Sequence, residues 1–193
     1  MICKRTKCND KRAALLKATL DLVNNNGFHD APMSKIAQMA GVSPGTIYLY
    51  FRNKQDLINQ LYIEVKSSFS RHAFKNYQED LPVKKGFRII WDNVADYQLD
   101  QVGEGLFLSQ CDNTPIIDEE SRKEGLRHLK PLLDLWERGQ KEGIIKPLSH
   151  FILYAYAVHP LAFLMKAQQQ NNYHLSKEML DDAFQSAWDS IRI

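Results

Sequence analysis

Three observations predict an all-α chain, with an N-terminal three-helix helix-turn-helix unit joined by a long helix to a larger C-terminal helical body. Apolar residues recur at i, i+3, i+4 and i+7 in one segment after another, and no run alternates apolar with polar residues as a half-buried strand would. Residues 33–57 hold two short helical patterns that meet at Gly41. With 193 residues, 44% hydrophobic and 25% charged, the chain can bury a proper core, as one helical body or two small units.

Residues 1–9, with Lys4, Arg5 and Lys7, read as a short basic arm, either disordered or drawn to a nucleic-acid backbone. The first helix starts at Asp10, buries Leu16, Leu20 and Val23, and ends at Asn24-Asn25-Asn26-Gly27, after which Phe28 returns to the core. On this helix Arg12 and Lys17 either reach phosphate or form a solvated face. Met33, Ile36, Ala37 and Ala40 form the stripe of the second helix. Gly41 supplies the positive φ a chain needs on leaving a helix, and Val42 plugs the turn. Ser43 caps and Pro44 opens a third helix running to Phe51. So short a connection makes the two helices cross steeply, the geometry that pushes the second into a DNA groove.

On the third helix Ile47 and Phe51 face inward, whereas Gly45 and Leu49 lie opposite, flanked by Thr46 and Tyr48. An outward glycine costs about 1 kcal/mol against alanine, so its place there points to close approach of something to the backbone. Thr46 and Tyr48 can donate to phosphates or base edges and Leu49 can touch a thymine methyl; a ligand-free αα-corner fits the same pattern. Asn53 caps a fourth helix with Asp56 at its third position. Lys54 is a cation at the positive end of that helix, which suits a phosphate clamp, the alternative being a solvated surface lysine. This helix, Lys54 to Phe74, buries Leu57, Ile58, Leu61, Tyr62, Val65 and Phe69 and is longer than the first unit needs, so it links two bodies.

After Asp80-Leu81-Pro82 comes a helix with Phe87, Ile90, Trp91, Val94 and Tyr97; Gly103 and Gly105 break the pattern before Leu106-Phe107-Leu108. Asn113-Thr114-Pro115 is a stop, and one long helix follows from Asp118 to Lys141, ended by Gly143. Pro147-Leu148-Ser149 introduces a helix from Phe151 to Ala167, in which His159-Pro160 makes a kink that shapes either a pocket wall or only a helical bundle. A polar loop, 168–173, leads to the last helix, Ser176 to Ile191.

The net charge is only +2, but the distribution is lopsided. Residues 1–54 hold nine Lys/Arg against three Asp, and the remainder sixteen against twenty Asp/Glu. A basic N-terminal unit on a mildly acidic body is what DNA binding by one end requires. Cys3, Cys8 and Cys111 lack paired metal spacing and read as free thiols, and the six histidines show no HxxxH pattern, so no metal is expected. No signal peptide or membrane span is recognisable, which places the protein in the cytoplasm. No phosphate loop, nucleophile elbow or cofactor motif supports catalysis; no cofactor is expected.

Ile36-Ala37, Ala40-Gly41-Val42-Ser43, Gly45-Thr46-Ile47-Tyr48, Tyr50-Phe51, Lys54 and Leu57 together resemble the signature of the TetR/AcrR family of transcriptional regulators, over roughly residues 12–62. One departure is Ala31-Pro32 where the family often has threonine, which leaves Ser34 as the phosphate contact. The resemblance implies a DNA-binding domain over 1–54 that uses Ser34, Ser43, Pro44, Gly45, Thr46, Tyr48, Leu49, Tyr50 and Lys54. It implies a ligand-binding and dimerisation domain over 55–193. Leu153, Ala157, Leu161 and Leu164, with Leu180, Ala183, Phe184, Ala187, Trp188 and Ile191, form apolar faces broader than one neighbouring helix hides, and relatives pair such helices in a homodimer. Trp91 and Trp136, then Phe107, Tyr154 and Phe163, are the candidates for a pocket taking a small hydrophobic effector, with ordinary core packing as the alternative for each. The expected protein is a homodimeric repressor on a palindromic operator, released by that effector; a DNA-binding regulator or activator without an effector stays open beside it.

Overall fold

A computed structural model describes residues 2–112, 114–171 and 173–193, with side chains described from Asp10 onward. The side chains of Cys3, Lys4, Arg5, Lys7 and Cys8, and Asn113 of the expected stop, lie outside the described residues. Among the described residues the elements are α1 (Ile2–Asn26), α2 (Met33–Met39), α3 (Pro44–Ile47), α4 (Lys54–Ala73), α5 (Val83–Asp100), α6 (Val102–Asp112), α7 (Glu119–Arg127), α8 (Lys130–Lys141), α9 (His150–Ala157), α10 (His159–Gln169) and α11 (Lys177–Ile191). The β-pairing among them is a single bridge, Ile145 to Arg192. None of the described helices is long and apolar enough to cross a membrane.

The chain divides into two compact units, Met1–Lys66 with Leu106–Gly125, and Ser67–Gly105 with Leu126–Ile193. In the first, α1 buries Leu15, Leu16, Leu22 and Val23. Its buried Thr19 hydroxyl is satisfied by donating to the Leu15 carbonyl at 2.7 Å. Arg12 is held within this unit: it donates to Gln60 at 3.1 Å, pairs with Glu64 at 3.5 Å and lies over the Phe51 ring at 5.9 Å. The later segment of the unit docks on α4. Gln55 donates to the Ile116 carbonyl, Asn59 donates to the Asp118 carboxylate, and Phe107 packs against Phe28 at 6.1 Å. Asp118 also accepts from the Ser121 amide at 2.8 Å, so one carboxylate caps α7 and holds α4.

The second unit is built on aromatic packing. Phe87 of α5 meets Trp136 of α8 at 6.3 Å and Phe184 and Trp188 of α11 at 5.8 and 6.1 Å, and Trp91 stands edge-on to Phe184 at 5.6 Å. Ser149 and Ser176 cap α9 and α11 by accepting from the Ile152 and Met179 amides.

Several boundaries differ from those the sequence predicts. α1 begins at Ile2 rather than Asp10, residues 2–9 holding neither glycine nor proline to stop it. Gly103 and Gly105 sit inside α6, and the break falls at Gln101 (φ −113°, ψ 52°). Gly105 answers close approach instead, because the Gln98 side chain occupies the space where a Cβ would stand. The long helix expected from Asp118 to Lys141 is two, α7 and α8, since Pro131 in the first turn of α8 has no amide for the preceding turn. The expected kink at His159-Pro160 is likewise a full break: Val158 leaves helical geometry (φ −120°, ψ −46°) and Pro160 falls in the first turn of α10.

Candidate nucleic-acid interface

The turn between α2 and α3 is set by Gly41 at φ +67°. The Gly41 amide donates to the Gln38 carbonyl at 3.1 Å and the Val42 amide to the Ala37 carbonyl at 3.0 Å, the paired bonds that close a helix through a left-handed residue. α3 is shorter than expected, ending at Ile47 rather than Phe51. The next amides tighten onto closer carbonyls, Leu49 to Thr46 and Tyr50 to Ile47, each at 3.1 Å. The inward pair is nevertheless as predicted, Ile47 and Phe51 being 0% and 1% exposed.

The outer face of α3 is open. Tyr48 is 58% and Leu49 82% exposed, and Ser34, Ser43, Pro44 and Gly45 are also exposed. Thr46 and Tyr50 are half-buried, Tyr50 lying against Phe51 at 6.4 Å. Ser43 occupies the cap position, yet its hydroxyl does not cap the helix; it is bonded to the Thr46 hydroxyl at 2.7 Å. A Cβ on Gly45 would meet nothing within 4 Å, and its backbone needs no positive φ, so nothing within the described chain requires glycine there. Gly45→Ala is therefore expected to raise stability by about 0.5–1 kcal/mol, seen as a higher Tm, while weakening DNA binding in an anisotropy titration; unchanged binding would show that the backbone is not approached.

α4 starts beside this face with a reciprocal cap. The Asp56 amide donates to Asn53 at 2.9 Å and the Arg52 amide donates to the Asp56 carboxylate at 2.8 Å. Burial acts to raise the Asp56 carboxyl pKa, but hydrogen bonds from Gln60 and the Arg52 amide outweigh it and hold the group below its ordinary value. Lys54 donates to the His29 carbonyl at 3.1 Å, so it ties α4 to the loop before α2 and presents its remaining protons at the rim.

The pocket candidates fall in both units. Trp91 is 3% exposed and donates to the Ala157 carbonyl at 3.1 Å, and Trp136 is fully buried with its indole N–H unpartnered. Both belong to the aromatic core of the second unit, where Tyr154 is half-buried; Phe163 is 73% exposed, and Phe107 lies in the first unit. Of the residues expected at a dimer face, Leu153, Ala157, Leu161, Phe184, Trp188 and Ile191 are buried inside the subunit, while Leu164, Leu180, Ala183 and Ala187 are partly exposed. The aromatics beside them, Phe151 and Tyr156, are exposed. Sequence reasoning missed the burial of Lys66, whose signal was its spacing, four residues after Tyr62 and three before Phe69 on a buried stripe.

This architecture, a glycine-turned helix pair on an all-helical chain, defines a helix-turn-helix regulator. Residues 15–61 match the family described as bacterial regulatory proteins, tetR family, and residues 82–192, more than half of the chain, match the tetracyclin repressor-like C-terminal domain. The chain belongs to the TetR family of DNA-binding transcriptional regulators and is not an enzyme. It is 27% identical over 192 residues to an HTH-type transcriptional regulator of Haemophilus influenzae, covering 95% of this chain and 96% of that one. A TetR family regulator from Marinobacter aquaeolei VT8 shares the fold with a TM-score of 0.90 at 24% identity, over 97% and 98% of the two chains. FadR from Bacillus subtilis, solved in complex with stearoyl-CoA, shares it with a TM-score of 0.68 at 20% identity, over 92% and 95%.

Proposed function

We propose that the protein is a homodimeric repressor that sets the outer face of α3 from each subunit into a palindromic operator and releases it on binding a small hydrophobic effector. The exposed, uncharged face of Gly45, Tyr48 and Leu49 carries this reading, because that surface has no role in the subunit's own packing. Ser34, Ser43, Thr46, Tyr50 and Lys54 border it as phosphate and base contacts, on a DNA-binding domain of residues 1–54. Residues 55–193 bind the effector and form the dimer. Leu164, Leu180, Ala183 and Ala187, widened by Tyr156 and Phe163, are the surface offered to the second copy, and the six buried residues of the same helices support it from behind. Trp91, Trp136 and Tyr154 line the effector's place in the second unit. α4 is continuous from Lys54 to Ala73, so a change around Phe69 reaches Lys54 along one helix. The effector must bind the DNA-incompetent state more tightly, and tenfold release needs about 1.4 kcal/mol of difference.

The test is an anisotropy titration of a labelled fragment from upstream of the protein's own gene, first alone and then with stearoyl-CoA, the ligand of the FadR neighbour. Two chains per site and clear preference over a scrambled fragment are expected. One chain per site, or no preference, would overturn the operator reading, and unchanged affinity with stearoyl-CoA would remove acyl-CoA as the effector.

A further inference from the structure

In the major groove each base has side chains that suit it: Arg or Lys for guanine, Asn or Gln for adenine, Asp or Glu for cytosine, and an apolar side chain for the thymine methyl. Residues 43–50, which carry α3 and its continuation, contain none of the six charged or amide types. The exposed Lys35 and Gln38 stand on α2, and the exposed Arg52 in the turn before α4. The hydroxyls on this stretch tell bases apart poorly, because a hydroxyl both donates and accepts, and those of Ser43 and Thr46 are already bonded to one another at 2.7 Å. The apolar side chain is a different matter. Leu49 is 82% exposed, against 58% for Tyr48 and 49% for Met39, the other large apolar side chains open on this helix pair. Its amide is closed onto the Thr46 carbonyl at 3.1 Å, so the backbone is held although the side chain packs against nothing in the subunit. Gly45, four residues earlier, has no Cβ to hold the helix away from a groove floor.

We infer that Leu49 is the specificity-determining residue of this face, and that it reads the C5-methyl group of one thymine in each half-site. The base it meets is chosen for that methyl and not for a hydrogen-bonding edge, so cytosine is rejected there and 5-methylcytosine, which carries the same methyl at the same place, is accepted better than cytosine. Burying Leu49 against the methyl removes apolar surface from water on both partners, a gain the free subunit does not have. The assignment rests on the operator reading given above and names what that surface recognises.

The experiment selects duplexes with a randomised centre on the full-length protein. The enriched duplex is then remade with each half-site thymine replaced in turn, in both half-sites together, by deoxyuridine, which lacks only the methyl. At any sensitive position cytosine and 5-methylcytosine, each paired with guanine, are compared as well. Affinities of the wild type and of Leu49→Ala are read by anisotropy. A two-fold sequence is expected, with one thymine position at which deoxyuridine costs about tenfold, the burial of one methyl group at each of two half-sites. Leu49→Ala should melt with the wild type, since the side chain packs no core, and should bind the thymine and deoxyuridine duplexes equally. A two-fold sequence bound equally well without any thymine methyl would overturn the assignment and leave the operator reading standing. So would an undiminished deoxyuridine penalty in Leu49→Ala, or no gain from 5-methylcytosine over cytosine. A pool that yields no enriched two-fold sequence would overturn both.

Discussion

Trp136→Ala is expected to lower stability by about 3–5 kcal/mol, the usual cost of emptying a large aromatic site in a close-packed core. Trp136 is fully buried against Phe87 and His150, with Ile145 and Leu153 also at 0% exposure in the same unit. The loss is a large share of the about 5–15 kcal/mol that ordinarily holds a domain folded, so the variant should show an early urea midpoint. Trp136→Phe separates packing from the hydrogen bond. The indole N–H has no partner, so its removal relieves a desolvation cost of about 1–3 kcal/mol and offsets much of the volume lost. If Trp136→Phe destabilises as severely as alanine does, the N–H is satisfied in solution. A Trp136→Ala variant that fails to respond to an effector is therefore uninformative by itself, and Trp136→Phe is the substitution that tests Trp136 as a pocket residue.

Tyr48→Ala is expected to weaken operator binding about a hundredfold. A contact to a base or phosphate is worth about 1–3 kcal/mol, and a symmetric dimer loses it at both half-sites. The side chain is 58% exposed and packs no core, so the melting temperature should hardly move. An anisotropy titration against a two-fold operator, with sedimentation to establish that the variant remains dimeric, checks both parts. Unchanged affinity would remove Tyr48 from the contact surface. Lys54→Ala should do less, because its ammonium already spends one hydrogen bond on the His29 carbonyl.

What the sequence disclosed and what it hid divide along a physical line. Gly41 and the Asn53/Asp56 cap were readable because local backbone geometry admits few residues there, and the structure has Gly41 at φ +67° and both cap bonds made. The inward placing of Ile47 and Phe51 followed from helical periodicity alone. The breaks at Leu129 and Val158 did not, because proline within a helical pattern reads the same whether it kinks one helix or opens the next. The stripe on the last helices was visible, but a stripe does not say what covers it; Leu153 and Trp188 are already covered from within the subunit. Ser43 in the cap position was readable, whereas its engagement with Thr46 was not, since two hydroxyls three residues apart can each serve the backbone or one another. The bond from Lys54 to His29, and the burial of Lys66, depend on segments far apart in the chain.

The unit that carries α3 is not a contiguous stretch of sequence. Residues 106–125 belong to it, bringing Phe107 to Phe28 and Asp118 to Asn59. A gene fragment ending at Lys66 would bare one side of α4 and leave Phe28, Asn59 and Gln55 without those partners. Modularity in this protein is therefore a property of the folded molecule rather than of its reading frame. Recombination that exchanges only the first third of such a chain inherits the DNA-facing helices without the contacts that residues 106–125 supply.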